Sequence, residues 1–156
     1  AVWTIQIQGR DETGRAFTSS MFNYSGGMGA RAGKPGLSAI CYPTGVSAVP
    51  VEVLEAAYPI VFSCKELERG TGGKGAQPGG DGQRIGFSMR TGQPWLLNTV
   101  PSRLKASPQG LLGGEAGAAG RFEVNGVPTI LSGKTDMKPD DAILMVTPGG
   151  GGFGKA

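Results

Sequence analysis

No histidine occurs among the 156 residues. That absence removes the usual general base near neutral pH, the commonest metal ligand and every Ser-His or Cys-His nucleophile arrangement. Chemistry at this chain would fall to carboxylates, lysine, tyrosine or another polypeptide. Cysteine is scarce as well. Cys41 and Cys64 stand far apart in no metal-binding spacing, so the expectation is two buried thiols in a cytoplasmic protein, with no disulfide. No stretch reaches the ~18 apolar residues of a membrane span, and no charged-then-apolar signal segment opens the chain. Basic runs and aromatic residues interleaved with Lys and Arg are also missing, and the net charge is only +3. Nucleic acid and membrane are therefore not expected partners. Hydrophobic residues make up 38%, below the ~45–50% of ordinary domains, so a core is feasible but modest. The chain begins at Ala1, which suits a processed product or an excised portion of something longer.

Glycine is what the sequence has in excess, with 29 residues, joined by 11 prolines. They are spread among apolar segments, which implies tight turns between short strands more than a linker. "VWTIQIQ", residues 2–8, alternates cleanly and reads as a half-buried strand. "GRDETG" turns it, and "RAFTSSMF" returns antiparallel. "VPVEVLEAAYP" is the one helix: Pro50 suits its start, Glu52 and Glu55 its N-terminal half, and Pro59 its stop. Val51, Leu54 and Tyr58 would line one face. A strand "IVFSCKEL" follows, and further strands are expected at 83–90, 93–99, 121–124, 127–131 and 142–147. Asn125-Gly126 marks a two-residue hairpin, because both positions need positive φ. Pro128 just beyond it places the return strand at an edge. Trp3, Phe87, Trp95 and Phe122 sit in strand patterns and belong to the core. The fold class is α+β and predominantly β: short antiparallel strands, one short helix and long glycine-rich loops, as a single unit over residues 1–156.

Three spacings imitate known motifs and fail. "GMGARA", Gly27 to Ala32, has the dinucleotide G-x-G-x-x-A spacing, but the "GKPG" that follows cannot open the helix on which a pyrophosphate would rest. "SGKT", residues 132–135, resembles the end of a P-loop, yet the position that must be glycine is Pro128. Asp136, Asp140 and Asp141 suggest a cation, while "KPDD" reads better as a turn before "AILMV".

Six segments occur in fixed order: "GGMGARAGKPGLSA", "YPTGV", "PVEVLEAAYPI", "GGKGAQPGGDG", "GLLGGEAGAAGR" and "TPGGGGFG". Together they resemble the C-terminal part of the hydantoinase B subunit family, which includes 5-oxoprolinases, N-methylhydantoinases, lactamases of the same ATP-dependent type and ketone carboxylases. The resemblance implies a partner A subunit, an actin-like ATPase, that phosphorylates an amide or enolate oxygen of a small cyclic amide or ketone. The B subunit then completes ring opening or carbon–carbon bond formation. It also implies a divalent metal held by histidines and carboxylates in an earlier part of the subunit, with ATP and magnesium elsewhere in the complex. No cofactor is expected on this segment alone. Its partners would be the ATPase subunit and the remaining B-subunit portion. Where many family members carry "THMTNTRNTPVE", this chain has "CYPTGVSAVPVE". Tyr42, Thr44 and Gly45 fit a sister branch with "FPSGVRNTPVE", which leaves hydrolysis and carboxylation both open.

Candidate site residues follow from the residues and the resemblance together. Glu52, in the part matching "PVE", is the first carboxylate candidate for acid/base work or a substrate clamp. The alternative is a first-turn glutamate favoured by the helix dipole. Arg31, flanked by Gly29 and Gly33, could meet an anionic intermediate or be a solvated loop arginine. Lys74 has the same two readings. Gly26, Gly27, Gly72 and Gly73 could present N–H groups to a phosphate or serve as turns. Tyr42 completes the set of substrate- or phosphate-binding candidates. The closing "TPGGGGFG" is expected to be a packed, defined segment, since it leaves an apolar strand directly and Phe153 offers an anchor. A second functional class stays open beside the enzyme reading: a non-catalytic β-rich assembly or interaction module on the same scaffold.

Overall fold

The computed structural model describes residues 1–42, 45 and 47–156. Thr44, one of the branch-specific positions, lies outside them. Among the described residues, nine strands and one helix follow in order: β1 (Val2–Arg10), β2 (Ala16–Ser25), α1 (Val51–Ala57), β3 (Ile60–Glu68), β4 (Gly82–Met89), β5 (Trp95–Val100), β6 (Arg121–Val124), β7 (Val127–Thr129), β8 (Gly133–Met137) and β9 (Ala142–Val146). They form two antiparallel sheets, ordered β2-β1-β5-β8 and β3-β4-β9-β6-β7. The predominantly β class read from the sequence is the one observed.

Alternation explains how the sheets meet. Trp3, Ile5, Ile7, Leu97 and Met137 point inward from the first sheet; Ile60, Ile85, Phe87, Phe122, Ile143 and Met145 do so from the second. Trp3 stacks on Phe122 with ring centroids 4.8 Å apart, and its indole N–H donates to the Ser102 carbonyl at 3.0 Å. All four aromatics assigned to the core are buried. At the β6–β7 hairpin, Asn125 (φ 53) and Gly126 (φ 78) adopt the two positive φ values that the dipeptide foretells. Pro128 sits on β7, the edge of its sheet. Asp141 closes the "KPDD" turn by accepting from the Lys138 N–H at 2.7 Å and from the Asn125 amide at 2.8 Å.

The sequence reading missed β8. "GKTDM" carries a single apolar side chain, Met137, and exposes Lys134 and Asp136. Period-2 patterning fails there because only pairing to β5 makes it a strand, with Thr135 opposite Leu97 and Met137 opposite Trp95. The expected strand at 93–99 lies at 95–100, and the one at 127–131 is shorter, ending at Thr129. Helix α1 buries no residue fully; Leu54 and Tyr58 pack partly against the core. No disulfide joins the cysteines, and only Cys41 is buried, Cys64 being half-buried.

The glycine segments form a third structural unit beside the sheets. Residues 147–154 run extended through its centre and bond outward with a period of three. The Gly149 and Gly152 N–H groups donate to the Ala118 and Glu115 carbonyls. Those of Gly150 and Phe153 donate to Gly80 and Gln77, while the Pro148 and Gly151 carbonyls accept from Gly27 and Ala30. Three residues per turn without internal hydrogen bonds is polyproline II geometry, in which successive residues face different neighbours. Such neighbours fit only where side chains are absent. A Cβ on Gly150 would lie 2.0 Å from the Met28 carbonyl oxygen, and one on Gly27 would lie 1.8 Å from that of Gly80. The four consecutive glycines, 149–152, are all buried. The closing segment is thus the packed element expected of it.

Two outcomes test this fold. Gly150→Ala should destabilise by several kcal/mol, above the ~1–3 kcal/mol usual for overpacking, because backbone must move. Gly92→Ala, at φ +62 with nothing within 4 Å, should cost only about 1 kcal/mol. Urea unfolding of both variants compares them, and equal losses would refute the packing argument. Asp11 accepts from the Thr13 hydroxyl and from the Thr13 and Arg15 N–H groups in the β1–β2 turn. The Thr13 hydroxyl bond first, then the main-chain bonds, hold its carboxyl down at about 2 against an ordinary 3.8. A depressed carboxylate stabilises the turn above pH ~4, and that support is lost as pH falls towards 2. An NMR titration of the Asp11 carboxyl carbon should show that low midpoint, whereas a midpoint near 3.8 would contradict the turn.

Candidate functional site

The sequence candidates divide between the glycine bundle and the surface. Gly26, Gly27, Gly72 and Gly73 enter the bundle, and each N–H already has a protein acceptor. Gly26 donates to the Ala1 carbonyl at 2.7 Å, Gly27 to Pro148 at 2.9 Å and Gly73 to Gly150 at 2.8 Å. Gly72 donates to Asp81 Oδ1 at 2.9 Å. In this arrangement their N–H groups are spent on the fold. Arg31 lies in a tight exposed turn, exchanging main-chain hydrogen bonds of 3.0 Å with Lys34. Lys74 exposes its side chain while its carbonyl accepts from the Glu115 N–H at 2.7 Å. Tyr42 is 71% exposed. Glu52 stands exposed in the first turn of α1. These residues do not converge on one pocket.

A residue that the sequence reading passed over stands beside Glu52. In "IVFSCKEL", strict alternation would put Lys65 on the face opposite Ile60 and Phe62. A β-bulge between Phe62 and Cys64 changes the parity, so Lys65 pairs with Ile85 and shares that residue's inward face. Its side chain enters a cleft of about 110 Å³ lined by Ser20, Met21, Tyr24, Val49 and Leu54. There Nζ donates to the Val49 carbonyl at 2.8 Å. Burial pulls the Lys65 ammonium below its ordinary pKa, and the charge of Glu52 opposes that shift. Burial also pushes the Tyr24 phenol well above its usual range. Helix α1 is held over this cleft by Glu55, whose carboxylate accepts from the Phe62 N–H at 2.7 Å and whose carbonyl accepts from Arg90 at 3.1 Å. A half-buried amine with apolar walls can hold an anionic group, or act as a base once deprotonated. No pattern in the sequence marks a bulge, so the inward turn of Lys65 was not readable there.

A second concave surface runs along the glycine bundle itself, with Arg103 at its edge beside Gly29, Gln109 and Gly149 to Gly151.

The family model described as Hydantoinase B/oxoprolinase matches residues 1–156 in full. The chain belongs to that family. Among relatives, a 5-oxoprolinase of Pestalotiopsis fici is 34% identical over 161 aligned positions, covering 94% of this chain and 12% of its own length. A 5-oxoprolinase of Dictyostelium discoideum is 31% identical over 139, covering 84% of this chain and 11% of its own length. An uncharacterised protein of Methanocaldococcus jannaschii is 37% identical over 109, covering 67% of this chain and 19% of its own length. The chain thus spans about a fifth or less of the length of these curated relatives. Two solved structures share the fold. Nucleotide-free acetone carboxylase superposes with a TM-score of 0.75 at 20% identity, over 97% of this chain and 25% of its own. ATP-dependent caprolactamase from Pseudomonas jessenii gives 0.74 at 24%, over 99% and 30%.

The metal site implied by the resemblance does not fit these residues. Histidine is absent, and among the described residues no three Cys, Asp or Glu gather as metal ligands. No step can be assigned to a metal on this segment. No helix among the described residues is long and apolar enough to cross a membrane.

The Glu52–Lys65 relation has a direct check. Glu52→Gln removes the charge that supports the ammonium, so the Lys65 titration midpoint should fall further below the ordinary lysine value. Side-chain NMR of Lys65 across alkaline pH reads that midpoint; an unmoved value would show that the two charges do not communicate.

Proposed function

We propose that this chain is the C-terminal region of the B subunit of an ATP-dependent cyclic-amide hydrolase of the hydantoinase/oxoprolinase type, or of a related carboxylase. It shapes part of the active-site cavity and contacts an A-type ATPase subunit. The observation carrying this reading is the unbroken family match over residues 1–156, in a chain that covers a small fraction of its relatives' length. The relatives named as 5-oxoprolinases favour a small cyclic amide, and the acetone carboxylase likeness keeps ketones in view. Phosphorylating an amide oxygen abolishes the resonance that protects the amide, and this supplies a role for ATP. Glu52, Arg31, Lys74 and Tyr42 are proposed to act at the interface with the remaining B-subunit portion. ATP, magnesium and a divalent metal would be bound elsewhere in a cytoplasmic complex.

A second reading has its own support. Leu37, Tyr42, Val49 and Val53 expose apolar side chains on one stretch of chain, as a scaffold that only docks partners would. Purification of the native assembly separates the two. The enzyme reading expects an ATPase and a histidine-bearing polypeptide to accompany these residues, with phosphate released only when ATP is joined by 5-oxoproline, a hydantoin, a lactam or a ketone. An assembly that turns over none of them would favour the scaffold. Hydrolysis of ATP by the pure chain would overturn both.

A further inference from the structure

The groove along the glycine bundle contains polar groups that the fold leaves unused. It has a volume of about 350 Å³ and is lined by Gly29, Ser102, Arg103, Gln109 and Gly151 among others. Gly151 is buried. Its carbonyl accepts from the Ala30 N–H at 2.9 Å, and the N–H groups on either side of it, at Gly150 and Gly152, donate at 2.8 and 2.9 Å. The Gly151 N–H itself meets no acceptor among the described residues. Buried main-chain N–H groups without a partner are rare in folded proteins. The Gly29 N–H is also unmatched among the described residues, but Gly29 is exposed, so this donor faces solvent at the mouth of the groove. The two are neighbours: a Cβ built on Gly29 would lie 4.0 Å from the Gly151 nitrogen.

Arg103 brings the charge. Its backbone is held at φ 61, an unusual value for a residue with a side chain. Bonds on both sides impose it: the Ser102 carbonyl accepts from the Trp3 indole at 3.0 Å, and the Arg103 carbonyl accepts from the Gly120 N–H at 3.0 Å. The stem of this arginine is therefore tied to the most buried aromatic of the core, while its guanidinium forms no hydrogen bond or ion pair among the described residues. Among the described residues, no Asp or Glu lines the groove.

We propose that this groove binds a tetrahedral oxyanion of the phosphate class. The Gly29 and Gly151 N–H groups and the Arg103 guanidinium are the donors. Neighbouring main-chain N–H groups form anion-binding concavities, and the planar guanidinium matches two phosphate oxygens at once. The absence of a carboxylate removes the usual competitor for the arginine. The anion arrives either as free phosphate or as the phosphoryl group of a small organic molecule, and the groove has room for both. Binding of this kind does not rest on the enzymatic reading and is measured without turnover.

The experiment is a ¹⁵N–¹H NMR titration of the protein with inorganic phosphate, then with acetyl phosphate, against sodium chloride at matched ionic strength. The Gly29 and Gly151 amide signals should move together and saturate with one dissociation constant. Arg103→Gln should weaken binding about tenfold or more, as expected for loss of a charged donor, while Arg69→Gln leaves it unchanged. Tighter binding of acetyl phosphate would identify a phosphorylated small molecule as the ligand, and equal or weaker binding would identify free phosphate. The proposal is overturned if the two amides do not shift saturably, if chloride reproduces the shifts, or if Arg103→Gln binds as well as the parent. Should that variant lose its dispersed spectrum, Arg103→Lys keeps the charge without the fork and should still weaken binding several-fold. Unchanged affinity there would count against the assigned geometry.

Discussion

The approach of main chain to main chain around residues 147–154 is the constraint on which the remaining structure depends. Glycine carbonyls and N–H groups from three other parts of the chain meet this segment at hydrogen-bonding distance, with no layer of side chains between them. Hydrophobic burial holds the two sheets together, yet the bundle sets where their ends lie. Thr147 shows the connection. Its N–H donates to the Gln83 carbonyl at the start of β4, and its hydroxyl donates to the Ser25 carbonyl at the end of β2 while accepting from the Gln83 N–H. One buried residue thereby joins the last strand of one sheet to the edge of the other, just where the glycine segment begins.

Function-bearing groups in such a fold are the ones that packing leaves over. Within the bundle the N–H groups on either side of Gly151 have partners, so a buried N–H left unmatched between them carries information. At the sandwich edge the same logic applies to Lys65, which a single extra residue in β3 turns from solvent into an apolar cleft. The two places differ in chemistry. One is a groove of main-chain donors beside an arginine, and the other is a half-buried amine under a short helix that buries nothing fully.

Much of the β framework was legible from residues alone. The alternation of Trp3, Ile5 and Ile7, the Asn125-Gly126 turn and the proline-bounded helix each encode a local preference that tertiary structure respects. Strand β8 was not legible, because "GKTDM" has no face of its own and is ordered by its neighbour. The candidate site depends on what a sequence does not show. Gly26, Gly27, Gly72 and Gly73 were singled out as phosphate donors or turns, and their N–H groups meet acceptors within the protein, but a sequence cannot say whether an N–H points to a ligand or to an acceptor distant in the chain. Bulges and unmatched amides are properties of pairings, and pairings here are long-range. Family membership was also legible, because six segments, most of them glycine-rich, stand in a fixed order along the chain.

The order of the chain adds a consequence for synthesis. The central segment lies after all of its partners, and the Thr147 hydroxyl reaches a carbonyl 122 residues earlier. A ribosome releases residues 26–30, 71–80 and 108–118 before the piece that joins them exists. Until then those stretches have only the few bonds they make to one another, such as Gly80 to Met28 and Ala118 to Thr71, and loop-closure entropy opposes them. The bundle therefore assembles late and as one event, when its axis arrives. Up to that moment the nascent protein carries its most glycine-rich parts as open chain, exposed to proteases and to nascent copies of itself.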